Sequence, residues 1–167
     1  MSTPNVASDG ERVRAFAAAV GRIPSGLFVV TARNGSAETG MLASWVQQCS
    51  FEPLQVSVAV KPGRPLMAWL TDGAPFTVNV LEQGQTDLLV HFGKGFRLDE
   101  PAFRDLEVER PGGAAPVLPD VLAYLDCRVT ARFPAGDHEL VIGRVVGGRV
   151  LCEGQPMVHV RKNGAHY

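Results

Sequence analysis

Few side chains in this sequence are equipped for chemistry, and they fall into three groups. The first is His138, which follows Asp137 in AGDHELVIG. An imidazole changes charge near neutrality, so it suits a proton donor or a group that orients a polar ligand, while an isolated Asp-His pair also suits a polar turn between strands. The second is the pair Lys61 and Arg64, set on either side of Pro62-Gly63 and ahead of RPLMAWLT, whose apolar residues have helical spacing. An anion there would meet two positive charges and a helix start; two solvated surface cations are the competing reading. The third is GMLASWVQQCSFEP, Gly40 to Pro53, where small residues, Ser44, Ser50, an amide pair and Cys49 interrupt two runs that alternate as strands do. Small side chains let a ligand lie against main chain, and a sheet edge with a bulge would look the same.

Other chemistries find little support. His138, His159 and His166 fit no usual ligand spacing, so no metal site is expected. Cys49, Cys127 and Cys152 are odd in number and widely spaced, which suits reduced thiols, and Cys49 reads as a buried small hydrophobe ahead of a redox thiol. No nucleophile elbow or phosphate loop occurs, and Gly93-Lys94-Gly95 lacks the third glycine and the preceding strand of a dinucleotide fingerprint. A net charge of -1 with no run of Lys or Arg leaves no footprint for nucleic acid or anionic lipid, so a small or medium polar ligand is the expected partner. MSTPNVASDGERVR has no signal-like apolar stretch and no later run reaches the length of a bilayer span; a cytoplasmic protein with no membrane segment is expected.

The elements that must position these residues follow from periodicity. With 167 residues, 46% hydrophobic and 20% charged, one packed domain over residues 1–167 is expected, residues 1–22 forming an N-terminal arm and helix. Ser8 and Glu11 have capping-box spacing ahead of Val13, Phe16, Ala17 and Val20. Two extended runs, the first LFVVTAR, flank Asn34-Gly35, which reads as the centre of a type I′ hairpin. Leu54 to Val60 alternates Val56, Val58 and Val60 with smaller or polar residues; Phe76 to Leu81 is strand-like; Gln83 to Phe92 is helical, with Leu88, Leu89 and Phe92 on one face. Tyr124 to Phe133 has the cleanest alternation of all, and His138 to Val146 and Pro156 to Val160 complete the strands. Gly93 to Pro119 is a polar, Gly- and Pro-rich excursion. Six or seven strands with a few short helices favour an antiparallel barrel with helical crossovers.

The order of these features resembles the flavin reductase-like family, whose fold is the FMN-binding split β-barrel, mainly β with short helices and Greek-key connections. The resemblance is carried by GLFVVT from Gly26, Gly40-Met41, Ser50 with Pro53, FTVNVL from Phe76, HFG from His91, and Gly136-Asp137-His138 followed by Ile142-Gly143. GMLASWVQQ and MVHVRKNGAHY look like the reductase modules of flavodiiron-type proteins. Such a likeness implies an NAD(P)H:flavin oxidoreductase, in which NADH or NADPH reduces FMN or FAD and a partner oxygenase, flavodiiron protein or free acceptor takes the electrons. It also implies a homodimer. By the same likeness Leu42, Ala43, Ser44, Trp45 and Val46 contact the flavin ring and ribityl chain, with backbone donors stabilising the charge that reduction places on the ring. Gln48, Cys49 and Ser50 would lie toward the ribityl and phosphate, although many relatives carry a hydroxyl where Gln48 stands. Lys61, Gly63, Arg64 and Pro65 would reach the phosphate, and Phe92 and Gly93 would touch the cofactor near a subunit boundary. His138 would orient the nicotinamide or give a proton to reduced flavin, and His166 and Tyr167 would cover the ring edge. Taken alone, Phe92 is a helix-packing residue and His91 a helix C-terminal histidine. Two rival functions stand beside this one: a non-catalytic FMN-binding electron carrier or redox sensor, and an oxidase of a small organic substrate.

Overall fold

A computed structural model describes residues 8–162 and 164. In chain order the elements are α1 (Asp9–Val20), β1 (Ser25–Gly26), β2 (Phe28–Asn34), β3 (Ala37–Ala43), β4 (Val46–Phe51), β5 (Leu54–Val60), a 3-10 turn at Pro65–Ala68, β6 (Pro75–Val80), α2 (Thr86–Gly93), a second 3-10 turn at Pro111–Gly113, β7 (Ala123–Ala135), β8 (His138–Val150) and β9 (Val158–His159). They divide into two compact units: Gly26–Met157, and the two terminal segments together.

The terminal unit is built on α1. Ser8 Oγ accepts from the Glu11 amide at 3.3 Å while the Glu11 carboxylate accepts from the Ser8 amide at 2.8 Å, which is the reciprocal cap the sequence spacing predicts. The Gly164 amide donates to the Ala17 carbonyl at 2.6 Å, and so ties the far end of the chain to the helix. None of α1's side chains is buried, and the stripe that includes Val13 and Phe16 is more than half exposed.

The larger unit is the expected mainly-β, antiparallel fold. Seven strands run in the order β3-β2-β6-β7-β8-β5-β4, and every neighbouring pair is antiparallel. The sheet does not close, because β3 and β4 are its two edges. Its interior is filled by Val30, Val58, Phe76, Val78, Val129 and Val141 among others. β2 is buried on both faces: Val30 faces that interior, while the neighbouring Val29 joins Leu27, Leu81, Phe92, Leu118 and Val121 in a second cluster. The excursion after α2 covers this second face, held by buried polar groups. Thr31 Oγ1 donates to the Pro116 carbonyl (2.6 Å), and Asn79 both donates to the Val29 carbonyl (3.1 Å) and accepts from the Leu118 amide (2.9 Å).

Several local expectations change. In the β2–β3 hairpin Asn34 pairs with Ala37, so the turn residues are Gly35 and Ser36, and only Gly35 has positive φ (60°). That is the pattern of a type II′ turn in place of the expected type I′ turn at Asn34-Gly35. The same device recurs between β7 and β8, where Ala135 pairs with His138 around Gly136 (φ 66°) and Asp137. Val56, Val58 and Val60 are buried as predicted, but the alternation of β7 is broken by register shifts at Asp126/Cys127 and Val129/Ala131, which leave Phe133 exposed. RPLMAWLT forms only the four-residue 3-10 turn, and α2 begins at Thr86, three residues later than its pattern suggests. No described helix is long and apolar enough to cross a membrane.

Candidate functional site

Because β3 ends at Ala43 and β4 begins at Val46, Ser44 and Trp45 alone join the two edges of the sheet. β3 pairs only with β2 and β4 only with β5, so the outer main-chain groups of both strands have no strand partner among the described residues. The passage itself is half open: Ala43 is buried, Leu42, Ser44 and Val46 are half-buried, and Trp45 is 37% exposed. The Trp45 carbonyl accepts from the Ala59 amide at 2.9 Å, fixing where β4 begins. Of the two readings of GMLASWVQQCSFEP, the sheet edge is what the structure describes. It is a sheet edge with a bulge, half open along the passage.

Gly40 has a different reason to be small. A Cβ there would come within 2.8 Å of Phe92 Cε1, so the glycine makes room for a core ring rather than for a ligand. Farther along, Gln48 pairs with Val56 and Ser50 with Gln55, leaving Cys49 as the extra residue of the bulge. Cys49 is exposed, which corrects its reading as a buried small hydrophobe; Gln48 is exposed too and Ser50 is half-buried.

His138, the first residue of β8, meets this passage. Its ring centroid lies 4.7 Å from that of Trp45 at an interplanar angle of 53°, and the side chain is only 6% exposed. Nδ1 stands 2.8 Å from Asp137 Oδ1, whose own side chain is 78% exposed. The hydrogen bond from His138 holds the Asp137 carboxyl below its usual range, with smaller help from the charges of His138 and Lys61. Lys61 is brought near by register: Val60 pairs with Glu139, so the residue after Val60 meets the one before Glu139. Trp45, Lys61, Asp137 and His138 thus form one cluster from three chain segments.

A second group forms where α2 ends. The Arg64 amide donates to the Lys61 carbonyl at 3.2 Å, closing a turn in which Gly63 has φ 89° and after which Pro65 starts the 3-10 turn. Four residues are too few to develop a helix dipole, so the expected helix start contributes nothing; the cationic side chains carry whatever anion affinity this turn has. Arg64 Nη1 lies 3.6 Å from where a Cβ on Gly95 would sit, and Leu42 Cδ2 lies 3.7 Å from the corresponding position on Gly93. The end of α2 therefore adjoins both the cationic turn and the β3 end of the passage. Phe92 is 1% exposed and packs against Phe96 and Phe103, so any part it has in a site is left to its main chain. His91 Nε2 lies 2.8 Å from the Ala102 carbonyl and braces the excursion.

The residues proposed from the sequence thus gather at the passage, the cationic turn and the end of α2, whereas Gln48, Cys49 and Ser50 lie farther along β4. Asp137 and Gly95 also belong to the arrangement, beyond the residues that the family resemblance implies. The Asp-His adjacency was visible in the sequence, but the approach of Gly95 to Arg64 had no local signal. Among the described residues no group of His, Cys, Asp or Glu side chains is placed to hold a metal ion. His166 and Tyr167 lie outside the described residues.

Comparison with known proteins bears on the fold and the family. The NADH:FAD oxidoreductase SgcE6 of Streptomyces globisporus C-1027 superposes with a TM-score of 0.81 at 25% identity, over 95% of this chain and 93% of that one. Flavin reductase PheA2 gives 0.74 at 29% identity over 91% of this chain and 93% of its own. The styrene monooxygenase flavin reductase of Pseudomonas putida S12 gives 0.74 at 27%, over 87% of this chain and 91% of its own. In sequence, diflavin flavoprotein A 1 of Synechocystis sp. is 40% identical over 151 residues, 89% of this chain and 26% of that protein. This chain spans about a quarter of the length of the curated relatives it matches. Residues 20–165 match the family model described as flavin reductase like domain. A match over that span, on a fold shared with solved flavin reductases, places the chain in the flavin reductase-like family.

Proposed function

We propose that residues 1–167 act as one functional domain that reduces FMN or FAD at the expense of NADH or NADPH, and that the reduced flavin or its electrons pass to a partner oxygenase, flavodiiron protein or other acceptor. Membership of the family supports flavin reduction in general; the donor, the flavin and the acceptor are the further steps. SgcE6 is described as an NADH:FAD oxidoreductase and has been solved with NAD and FAD fragments, which favours a dinucleotide donor here as well. The observation that supports the proposal is the tilted ring contact of the buried His138 with Trp45, in the passage that joins the two sheet edges.

A flavin fits the residues present. Its flat ring would lie against the half-open Leu42–Val46 passage, where Ala43 and Ser44 are small, and its phosphate needs cations, which Lys61 and Arg64 offer beside Gly63 and Pro65, with Gly93 close to Leu42. Gln48, Cys49 and Ser50 would line the ribityl side of such a ligand. Bound flavin would supply the redox chemistry, accepting a hydride from reduced nicotinamide. The chain's task is to hold two rings face to face and keep water scarce, and the burial of His138 beneath Trp45 serves that end. With Nδ1–H donating to the Asp137 carboxylate, Nε2 is the atom through which His138 would orient the nicotinamide or pass a proton.

The test is anaerobic addition of NADH or NADPH to the purified protein with FMN or FAD, followed at the visible flavin band. Rapid bleaching with at least one nucleotide is expected. A flavin-loaded protein that neither nucleotide bleaches would make it a carrier or sensor.

A further inference from the structure

Where β6 meets β7, one hydroxyl faces two acceptors. Thr77 Oγ1 lies 2.9 Å from Asp126 Oδ1 and 3.2 Å from the Ala115 carbonyl, and both Thr77 and Ala115 are wholly buried. A hydroxyl carries a single proton, so it donates to only one of them at a time. We propose that Asp126, Thr77 and the Ala115 carbonyl form a proton-operated latch, which pins the Pro111–Ala115 segment against β6 and β7 while Asp126 is protonated and loosens it when the proton leaves.

Counting donors separates the two states. With Asp126 protonated, its O–H donates to Thr77 Oγ1 and the Thr77 O–H donates to the Ala115 carbonyl, so each group in the relay is paired. With Asp126 ionised, the carboxylate claims the Thr77 proton, because a charged acceptor makes the stronger bond. The Ala115 carbonyl is then a buried acceptor that the hydroxyl no longer serves, and lifting the segment toward water relieves that cost. Space is the second argument. A cavity of about 200 Å³ lies along the segment, lined by Pro111 to Ala115 and, across from them, by Asp126, Arg128 and Gly147. Anchors on either side confine the change to this stretch. Glu109 and Val117 exchange backbone hydrogen bonds of 2.8 and 2.9 Å, and Thr31 Oγ1 donates to the Pro116 carbonyl at 2.6 Å. Arg33, whose Nη1 donates to the Gly113 carbonyl at 3.1 Å, is a second tether that does not depend on Asp126. The charged group that shares the cavity with Asp126 is Arg128, whose guanidinium donates to the Gly73 carbonyl at 3.2 Å. β6 brings Pro75, Phe76 and Thr77 to this place and β8 brings Val146 and Gly147, none of which ionises, while the Cys127 thiol belongs to the core. Arg110, just before the segment, is paired with Glu38. Burial holds the Asp126 carboxyl above its usual range, so the latch stays complete through the ordinary carboxylate range and is lost as pH rises through the raised value.

Amide hydrogen exchange reads the latch through Gly113, Ala114 and Val117, whose N–H groups donate to the Arg110, Pro111 and Glu109 carbonyls. Exchange is recorded from about pH 4 to about pH 8 and expressed as protection factors, which remove the intrinsic effect of pH. In the native chain protection of these amides is expected to fall about two- to tenfold as pH rises, the worth of one net hydrogen bond. Asp126→Asn, whose amide N–H can donate to Thr77 as the acid O–H does, is expected to keep full protection at every pH. Thr77→Val preserves shape but removes the relay, and is expected to give low protection at every pH; it decides the matter should Asp126→Asn fail to fold. Native protection that does not change with pH would overturn the proposal. The same fall in either variant would also overturn it, by assigning the titration to another group. So would exchange of these amides that depends on added denaturant as steeply as unfolding of the whole chain, because the segment would then have no motion of its own.

Discussion

At the scale of single residues, His138 and the cysteines make the sharpest claims. Replacing His138 by Ala removes the ring that packs at a tilt against Trp45 and the partner of Asp137, but leaves the main chain of the passage in place. FMN or FAD should still bind, while single-turnover reduction by the nicotinamide slows by about a hundredfold, the lower end of what a positioned acid or base contributes. Unchanged reduction in a stopped-flow experiment would remove His138 from the mechanism. The thiols differ by burial. Cys127 lies in the core, and burial, with the nearby Asp126 charge second, pushes it up to about 12, so it should resist thiol reagents until the chain unfolds. Cys49 projects from an exposed bulge and should label first. Saturating flavin should slow that labelling; an unaltered rate would place Cys49 away from the ligand. The sequence displayed both thiols identically, since exposure on a bulge depends on register with β5 and leaves no mark on the neighbouring residues.

Elements show why some of the fold was legible and some was not. β5 could be read because both its neighbours are strands and every second side chain enters the core. β4 could not, because it is an edge and buries no side chain, so the pairing that defines it leaves no hydrophobic period. The 3-10 turn after Lys61 had helical spacing in Leu66, Met67 and Leu70, all buried, yet three anchors over five residues fit a tight connection as well as a helix. In the candidate site, motif order was enough to find the passage, the cationic turn and His138. The meeting of Gly93 with Leu42 and of Gly95 with Arg64 depends on how α2 packs, which periodicity does not encode. Two predictions belong here. A Cβ on Gly143 in β8 would collide with the ring of Phe76, 2.7 Å from Cε1, so Gly143→Ala should cost about 1–3 kcal/mol in denaturant melts; an unchanged midpoint would contradict that packing. In β7, burial raises the Asp126 carboxyl above its usual range, against a smaller opposing effect of the Thr77 hydroxyl at 2.9 Å. Between the ordinary value and the raised one the folded chain keeps a proton that the unfolded chain has released, so stability falls as pH rises through that interval. Asp126→Asn, whose amide oxygen can still accept from Thr77, should melt higher than the native chain at neutral pH, with the advantage fading below the ordinary carboxylate range. Equal melting at neutral pH would contradict this.

The whole molecule is organised by the open sheet. Because the edges are β3 and β4 and one short passage joins them, the larger unit carries two strand edges, the Lys61 turn and a buried imidazole in one neighbourhood. It also leaves large apolar side chains uncovered, among them Phe51 at 89% exposure and Phe133 at 54%. A second copy of the chain would cover such surface, and sedimentation should then give twice the 17.9 kDa of one chain; a monomer at micromolar concentration would refute the dimer. The most direct test of the central claim uses the two tryptophans. In a Trp69→Phe protein the indole of Trp45 is alone at the passage, where an oxidised flavin within contact distance would quench it by accepting an electron from the excited ring. Titration with FMN or FAD is expected to extinguish most of the Trp45 emission and to saturate at one flavin per chain, whereas emission that stays level while calorimetry records binding would put the flavin elsewhere and contradict the site.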